Sequence, residues 1–457
     1  MPELFLTNSE SGVKAVFTPV DATHIKFYVC GPTVYNLAHI GNARPVVVFD
    51  TLFRVLRSLY SKVTYARNIT DIDDKIITAA KERGTDISTV TQEFTGKFRE
   101  DMRALNALAP TLEPHATENV GAMLDLAQRL IDRGHAYEAE GHVLFDVTSM
   151  PDYGALSGRN LDDMLAGARV EVASYKRHPG DFVLWKPSSD DEPGWESPYG
   201  RGRPGWHLEC SAMIHDHLGD HIDIHGGGRD LIFPHHENER AQSCCGYGDD
   251  FVGIWMHNAY VDMNGEKMSK SLGNVKTVRE LLGHYAGETL RFALLSAHYR
   301  SPLNFSEQLL NSAQSTLDSF YLALRNAGDV AAQAAPVETS PVFRALLDDL
   351  NSPAAIAELH QLAKALNKAP EWEKSAAKGA LLAGGAVLGI LGESPDEWLS
   401  KGRPDELSAE AIDQLLVERA EAKASRDFSR ADAIRDELNS AGIIIEDSAS
   451  GSTWRRT

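Results

Sequence analysis

Cysteine is scarce in this chain, with four among 457 residues. The four are Cys30, Cys210, Cys244 and Cys245, and no two of them form a C-x-x-C pair. This spacing excludes a disulfide framework, a zinc ribbon and a thioredoxin-like redox motif.

Long apolar runs are missing as well. The first residues, MPELFLTNSESG, have neither the basic region nor the apolar core of a signal peptide. The uncharged, Gly- and Ala-rich stretch 379–392 is shorter than the roughly 20 apolar residues that a membrane span needs, so it indicates a buried helix. We therefore expect a cytoplasmic protein without a membrane segment.

Positive charge is in deficit, because 45 Lys and Arg face 65 Asp and Glu, a net charge of −20. This balance excludes a protein that coats nucleic acid without specificity, although a local basic strip remains compatible with it. A hydrophobic share of 43% is typical of a folded chain, and its length suggests about two to four domains.

Strand and helix patterns alternate through the first half of the chain. A β-rich segment at 24–31 precedes helical spacing over 43–60, and a second β-rich segment follows at 63–69. The sequence TDIDDKIITAAKERG then predicts a helix with Thr70 as its N-cap. This alternation predicts an α/β fold with a parallel sheet.

The predicted architecture is a Rossmann-type parallel-sheet domain with an insertion, followed by a helical bundle and a small C-terminal α+β domain. The last part is predicted to hold one amphipathic helix over 408–440 and a small hairpin in GIIIEDSASGSTW. The predicted boundaries are 1–120 for the first half of the sheet domain, 121–205 for the insertion, 206–300 for the second half, 301–395 for the bundle and 396–457 for the terminal domain.

The motif CGPTVYNLAHIGNAR stands between a predicted strand and a predicted helix. His39 and Asn42 should lie near one face of the first helical turn, where free N–H groups and the helix dipole favour a phosphate chain. Gly41 removes a side chain where a nucleotide or the backbone would approach closely. The alternative is an ordinary helix start with an incidental histidine.

A second motif, EKMSKSLGN, places two lysines around a serine ahead of a predicted helix. Lys267 and Lys270 can neutralise charge that develops on a phosphate chain during a reaction. A short basic loop on the solvated surface is the alternative.

A third group of motifs, GWHLECSAM and FPHHENERAQS, concentrates cysteine, histidine and glutamate. If the second motif opens a helix, His235 and Glu239 share one face at i and i+4 and suit a single metal. Cys210 and the strand-end Cys30 can complete a four-ligand zinc site. The alternative is a set of core histidines and buried free cysteines.

The first two motifs together resemble those of class I aminoacyl-tRNA synthetases. With NITDIDDK, GWHLECSAM and HGGGRDLIFPHHENERAQS, the resemblance narrows to the cysteinyl-tRNA synthetase family and covers essentially the whole chain. The class motif more often ends in histidine, and Asn42 at that position still offers a hydrogen-bond donor.

The resemblance implies a role for each matching residue. It places one zinc ion on Cys30, Cys210, His235 and Glu239. It places ATP on His39, Gly41, Asn42, Lys267 and Lys270, with His39, Asn42 and the two lysines acting in catalysis. It places the amino acid near Thr70, Trp206 and Asp230.

The resemblance also implies a reaction. ATP, with Mg²⁺, would activate L-cysteine as an adenylate, and the cysteinyl group would pass to the 3′-terminal ribose of tRNA(Cys). Zinc would select the cysteine thiolate over serine. The bundle would bind tRNA, the terminal domain would contact the anticodon, and the protein is expected to be a monomer.

Two other functions fit parts of this pattern. A cysteine:amino-sugar ligase of the mycothiol pathway activates cysteine in the same way but needs no anticodon-contacting domain. A non-catalytic, zinc-containing RNA-binding protein would need neither His39 nor the two lysines.

The C-terminal segment leaves a further choice open. Five basic residues recur there at intervals close to helical spacing, either as a basic stripe for RNA or as partners of neighbouring acids. They are Arg419, Lys423, Arg426, Arg430 and Arg435. Trp454 is a candidate to stack on an unpaired base.

Overall fold

The computed structural model of the chain describes residues 2–160, 173–248, 250–267, 274–400, 407, 409–448 and 451–456. The strands are β1 (Phe5–Thr7), β2 (Lys14–Val16), β3 (Ile25–Val29), β4 (Val63–Arg67), β5 (Ala136–Ala139), β6 (His142–Phe145), β7 (Phe182–Pro187), β8 (Gly202–Pro204), β9 (Ile222–Gly228), β10 (Val252–Asn258), β11 (Val261–Met263), β12 (Glu266–Lys267), β13 (Leu303–Phe305), β14 (Ile443–Ser448) and β15 (Gly451–Arg456).

The α-helices of the first half are α1 (Ile40–Leu59), α2 (Asp74–Arg83), α3 (Ile87–Ala104), α4 (Val120–Asp132), α5 (Trp206–Leu218) and α6 (Glu237–Tyr247). Those of the second half are α7 (Val278–Leu282), α8 (Gly287–Leu295), α9 (Glu307–Asn326), α10 (Pro341–Leu346), α11 (Ser352–Lys368), α12 (Glu371–Leu388), α13 (Pro395–Ser400), α14 (Ala409–Ala424) and α15 (Phe428–Ser440).

A parallel four-stranded sheet in the order β10-β9-β3-β4 organises the first half of the chain, which confirms the predicted fold class. Alternate residues of β3 face opposite sides. Phe27 and Val29 enter a core with α1 and α8, whereas Tyr28 enters a second core with α4, α5 and α6.

The insertion carries an antiparallel sheet in the order β5-β6-β7-β8, with the segments HVLFDV and DFVLWK supplying β6 and β7. Two basic residues of this sheet meet the first turn of α2. Lys186 and Arg203 both donate to the carboxylate of Asp74. These bonds hold the insertion against the parallel-sheet domain.

The N-cap predicted for α2 is wrong. Asp73, and not Thr70, caps the helix, because its carboxylate accepts the backbone N–H of Lys75. Thr70 is instead buried three residues earlier in the chain. A carboxylate is at least as good an N-cap as a threonine hydroxyl, and the sequence offers both within four residues.

The terminal segment forms two helices where one was predicted. Arg426 adopts a left-handed backbone conformation with φ of 64°, which ends α14, and Asp427 then caps α15. The predicted hairpin is confirmed by the antiparallel pairing of β14 with β15. Helical structure dominates the described residues after 277.

The basic residues of this segment are mostly paired with acids, so they do not form a free basic stripe. Arg419 forms a two-pronged ion pair with Asp447, and Lys423 joins the same carboxylate. Arg430 and Arg435 pair with Glu418 and Asp432.

Trp454 belongs to the core of the terminal domain. Its side chain packs with Ile412 and Ile434, and its indole N–H donates to Asp413 Oδ1 at 2.7 Å. With only 9% of its surface exposed, Trp454 offers no ring face for the predicted stacking on RNA.

None of the helices in the described ranges is both long and apolar enough to cross a membrane.

One titratable contact stabilises the loop between α3 and α4. His115 Nδ1 lies 3.2 Å from Asp71 Oδ2, and Asp71 also accepts two hydrogen bonds from Thr117. The Asp71 carboxylate raises the pKa of His115 above its usual value of about 6.5, because this hydrogen bond outweighs the effect of partial burial.

Replacement of this histidine should destabilise the protein in a pH-dependent way. A folded-state pKa above the unfolded value stabilises the fold fully at pH values below about 6.5, and this contribution is lost as the pH rises through the folded pKa. His115→Gln should therefore lower the free energy of unfolding by about 1 kcal/mol at pH 6 and by less at pH 8.5. The measurement is thermal unfolding at both pH values.

His284→Gln is the matched control, since His284 is an exposed histidine. Equal destabilisation by His115→Gln at the two pH values would contradict the role given to this contact.

Candidate metal and nucleotide site

Four metal-ligand side chains meet at the carboxyl edge of the parallel sheet. Cys30 directly follows β3, and Cys210 lies in α5. His235 belongs to the turn that leads into α6, and Glu239 lies in the first turn of that helix. Cys30 is half-buried as a residue, and the other three are buried.

The spacing of the donor atoms fits one tetrahedral zinc ion. Bonds of about 2.0–2.3 Å give edges of about 3.8 Å between two sulfurs and about 3.6 Å from sulfur to nitrogen or oxygen. Cys30 Sγ lies 3.6 Å from Cys210 Sγ, 3.4 Å from His235 Nε2 and 3.3 Å from Glu239 Oε1. Cys210 Sγ lies 3.7 Å from the same His235 nitrogen.

One edge is shorter than a tetrahedron requires. His235 Nε2 and Glu239 Oε1 are 2.9 Å apart, the length of a hydrogen bond. The predicted sharing of one helical face by these two residues is confirmed. Thus the four residues named from the sequence are brought together, and their atoms all lie within 4.8 Å of one another.

Further histidines form a layer behind the cluster. His225 Nε2 lies 2.8 Å from Glu239 Oε2, the carboxylate oxygen that does not face the sulfurs. His207 Nδ1 lies 3.0 Å from His235 Nδ1, and His236 Nδ1 lies 2.7 Å from His257 Nε2. Such contacts orient the ligands from outside the metal sphere.

A second group of potential ligands overlaps the first and consists of Cys30, His225, His236 and Glu239. Its histidines already have partners, because His225 contacts Glu239 and His236 contacts His257. His235 of the first group also has partners, but the first group offers two thiols at near-tetrahedral distances and therefore fits zinc better, which leaves His225 and His236 as supports.

The glycines of the HGGG segment make room for this layer. A Cβ on Gly227 would lie 2.9 Å from the His236 ring, and one on Gly226 would lie 2.3 Å from Phe49. Gly31 has a stricter requirement, because its Cβ would lie 1.7 Å from the carbonyl oxygen of Asn68. Glycine is thus required where β3 leaves the sheet beside Cys30.

The electrostatics of the cluster favour an ionised carboxylate. Burial alone would raise the pKa of Glu239, yet the neighbouring His235 and His225 bring it well below its usual range. Burial raises the pKa of the Cys30 thiol, and the adjacent Cys210 adds to that effect. Burial also lowers the pKa of His207 to about 3, so that ring is neutral.

Trp206 lies beside the cluster. Its indole stacks on the His235 ring with centroids 4.2 Å apart and planes 12° from parallel. Because 39% of its surface is exposed, Trp206 is not a core aromatic. Asp230 is exposed in the turn that follows β9.

Thr70 is buried beneath the cluster. Its hydroxyl donates to Glu209 Oε2 at 2.9 Å and accepts from Asn68 Nδ2 at 3.2 Å. The hydroxyl is therefore engaged within the protein, and its predicted contact with the amino acid stays a prediction.

Asn68 and Glu209 are the residues of the site that the sequence did not reveal. Asn68 Oδ1 accepts the N–H of Gly31, and Glu209 stands beside Cys210. The available signal was their position inside the motifs NITDIDDK and GWHLECSAM. A fully buried glutamate cannot be recognised from spacing alone.

His39 and Asn42 are placed at the start of α1 as predicted. His39 is the N-cap, and its backbone N–H donates to Asn42 Oδ1 at 3.1 Å. With Oδ1 engaged, the amide hydrogens on Nδ2 are the donors that Asn42 can offer to a ligand.

The second lysine motif lies mostly outside the described residues. The backbone of Lys267 ends β12, whereas Lys270 falls outside the described range together with its neighbours at 268–273. After this segment the chain pairs with the start of α1, because Ile40 donates to Lys276 O at 3.0 Å and Val278 donates to Ala38 O at 2.9 Å.

Family models match three parts of the chain. Residues 16–315 match the model of the tRNA synthetases class I (C) catalytic domain. Residues 342–392 match the DALR domain, and residues 405–455 match the cysteinyl-tRNA ligase anticodon binding domain.

Relatives of known name are similar over nearly their whole length. A cysteine--tRNA ligase of Saccharophagus degradans is 59% identical over 99% of both chains, and one of Paramagnetospirillum magneticum is 55% identical over 99% of both. Among solved structures, the methionyl-tRNA synthetase of Mycobacterium tuberculosis has a TM-score of 0.57 at 14% identity, covering 85% of this chain and 96% of that one. The structural likeness supports the class I fold.

Proposed function

This chain belongs to the cysteine--tRNA ligase family of class I aminoacyl-tRNA synthetases, and from that premise we propose that its four-residue cluster selects the substrate through a zinc ion. The enzyme joins cysteine to tRNA. A match to an anticodon binding domain and full-length similarity to tRNA ligases disfavour both the amino-sugar ligase and the non-catalytic protein.

Zinc would solve a problem of chemical likeness. Cysteine and serine differ in one atom, and a cavity that fits one separates it from the other by only about 1–3 kcal/mol. Zinc supplies a strong preference for a thiolate over an alkyl hydroxyl as a ligand. The observation that carries this proposal is the near-tetrahedral set of distances among Cys30, Cys210, His235 and Glu239.

The surrounding side chains would keep these ligands in one orientation. His225 holds the outer oxygen of Glu239, and His207 holds the outer nitrogen of His235. Trp206 covers one face of the His235 ring and remains accessible beside the half-buried Cys30. We assign to Trp206 a packing contact with the bound amino acid.

Thr70 and Asp230 complete the proposed amino-acid pocket. The exposed carboxylate of Asp230 would attract the α-ammonium group of cysteine. Thr70 would act from below through the side chains that it orients, since its hydroxyl is already engaged with Glu209 and its backbone N–H and carbonyl with Pro32 and Val34.

Activation would take place at the start of α1. The cysteine carboxylate attacks the α-phosphorus of ATP, the bond to the β-phosphate oxygen breaks, and pyrophosphate leaves. His39, Asn42, Lys267 and Lys270 would stabilise the charge on the phosphates, with Mg²⁺ on the nucleotide, while Gly41 admits the nucleotide closely.

Transfer would follow at the same place. A hydroxyl of the 3′-terminal ribose of tRNA(Cys) attacks the adenylate carbonyl and AMP leaves. The phosphate of the adenylate would accept the hydroxyl proton, so no side-chain base is required for this step.

The bundle offers a surface for the RNA. Lys364 and Lys368 are exposed at i and i+4 on α11, and within the described residues no carboxylate forms an ion pair with either. Trp372, just across the turn into α12, has 80% of its surface exposed. Two cations beside an open aromatic ring suit a phosphate backbone and an accessible base.

The remaining assignments are proposals of the same kind. The domain boundaries at residues 120, 205, 300 and 395 would separate the two catalytic halves, the insertion between them, the tRNA-binding bundle and the anticodon-contacting domain. A monomer that acts in the cytoplasm would suffice for charging tRNA, because each chain holds one proposed active site.

Cys210→Ser should damage the selection of cysteine. Loss of one thiolate ligand should weaken zinc binding by more than the roughly 10–100-fold that loss of a partner outside the metal sphere costs, so zinc content should fall and the KM for cysteine should rise at least tenfold. The KM for ATP should stay within twofold. Zinc analysis and charging of tRNA with labelled cysteine, and with labelled serine in parallel, measure these effects.

Cys244→Ser is the matched control, because Cys244 is a buried cysteine outside the cluster. Full zinc content and a normal KM for cysteine in Cys210→Ser would refute the assigned metal site.

Lys270→Ala should slow adenylate formation at least tenfold with little change in cysteine binding, since its charge is needed as the phosphates separate. Cysteine-dependent exchange of pyrophosphate into ATP gives both values. Lys62→Ala removes an exposed lysine at the amino edge of the sheet and should leave exchange unchanged. Unaltered exchange in Lys270→Ala would remove this lysine from the catalytic set.

The double variant Lys364→Ala/Lys368→Ala and the single variant Trp372→Ala should each raise the KM for tRNA about fivefold or more. The double variant should also reduce the slope of the logarithm of tRNA affinity against the logarithm of salt concentration by up to about 2, since each lysine accounts for about one phosphate contact. Pyrophosphate exchange needs no tRNA and should be unchanged, which separates this surface from the active site. A tRNA KM equal to that of Lys62→Ala would exclude the surface.

A further inference from the structure

Arg44 is a buried cation with an unusual set of partners. It lies in the first turns of α1, two residues after Asn42, and its side chain is fully shielded from solvent. Its guanidinium donates four hydrogen bonds to backbone carbonyls. The acceptors are Ala259 O at 2.8 Å, Tyr260 O at 2.7 Å, His298 O at 3.2 Å and Ser301 O at 2.7 Å.

Such burial is costly unless the charge is fully hydrogen-bonded. Burial lowers the pKa of Arg44 to about 10, so the group remains charged at neutral pH. No carboxylate of the described residues forms an ion pair with it. An apolar side chain could fill the same volume without this cost, but it would leave the four carbonyls without the hydrogen bonds that Arg44 donates. The role of Arg44 is therefore to serve as their common donor.

Two of the four bonded carbonyls, those of Ala259 and Tyr260, precede the second lysine motif in the chain. Tyr260 O accepts from Arg44 and from the N–H of Leu303, and β11 begins at the next residue. β11 pairs with β12 through Asp262 and Lys267. Two short steps therefore connect the Arg44 guanidinium to the backbone of Lys267.

The far end of the motif is held by the same helix. Ile40 donates to the carbonyl of Lys276, and Val278 donates to the carbonyl of Ala38. The start of α1 thus contacts the chain both before and after the lysine motif, and it carries His39 and Asn42 between these contacts.

We propose that Arg44 is a positioning residue for the activation step, which fixes the strand that ends at Lys267 relative to His39 and Asn42. The proposal rests on the roles in ATP activation proposed above for those three residues. Positioning of this kind matters because displacing reacting groups by about 1 Å can cost a factor of about 100 in rate.

Arg44→Lys tests the proposal directly. Lysine keeps the charge but has three donors on one atom and cannot bridge carbonyls on both segments. We expect kcat for cysteine-dependent pyrophosphate exchange to fall at least tenfold. The KM for cysteine and the zinc content should stay within twofold of the parent enzyme. Titration of active sites by the burst of adenylate corrects for any unfolded fraction.

Arg291→Lys is the matched control. Arg291 is also fully buried and donates to the carbonyls of Leu105 and Leu388, but it pairs with the Asp50 carboxylate in the middle of α1. It should lower the unfolding temperature while leaving kcat per active site within twofold. If Arg44→Lys prevents folding, Arg44→Gln is the second variant, because a neutral amide is less costly to bury than a charged amine.

The outcomes separate the proposal from its premise. A kcat within twofold of the parent in the folded Arg44 variant overturns the positioning role, as does a parallel loss of zinc or of cysteine affinity. In one outcome, Lys267→Ala and Lys270→Ala leave exchange unchanged while Arg44→Lys lowers it. That result would refute the proposed phosphate contacts of the two lysines, and it would support positioning by Arg44 only through His39 and Asn42. A loss confined to the Arg44 and lysine variants, absent from Arg291→Lys, supports both.

Discussion

The parallel pairing of β3 with β9 and β4 is the constraint on which the site depends. It brings the carboxyl ends of three strands to one edge of the sheet. Cys30 and Asn68 directly follow β3 and β4 there, and Gly228 is the last residue of β9. Residues nearly 200 positions apart in the chain become neighbours there. The cluster exists because Gly31 lets the turn after β3 contact the backbone of Asn68, a contact that any side chain would prevent.

The sequence predicted the residues of the cluster and the parallel sheet because both leave local signals. Strand and helix periods alternate over short windows, and the four ligands lie in compact motifs that resemble one family. It did not predict the buried supports. Asn68, Glu209 and Arg44 act through distant backbone or side-chain atoms, and nothing in their local sequence tells which partners the fold will supply.

The C-terminal segment shows the same limit in another form. The spacing of Arg419 and Lys423 fits a helix face, but their use depends on Asp447 in a hairpin that is remote in sequence. Trp454 carries aromatic character that suits RNA, yet the same ring fills a small core that has few other large residues. In this acidic chain, these basic and aromatic side chains are used in ion pairs and in a core. Only side chains that stay exposed can contact a partner.

The charge of the four-residue cluster supports the proposal of a bound cation over a hydrogen-bond network alone. Glu239 is buried and ionised, and a buried carboxylate is costly unless it is paired. Two thiols stand within 3.7 Å of the same imidazole nitrogen, and each that ionises adds a further negative charge. His207 and His257, with pKa values of about 3, contribute none in return. One divalent ion would balance the carboxylate and one thiolate in a single step, whereas a protonated His235 would balance only one of them. With these donors, a bound zinc ion would favour a soft substrate thiolate over a hydroxyl, so the burial of Glu239 would link the stability of the proposed site to its choice of amino acid.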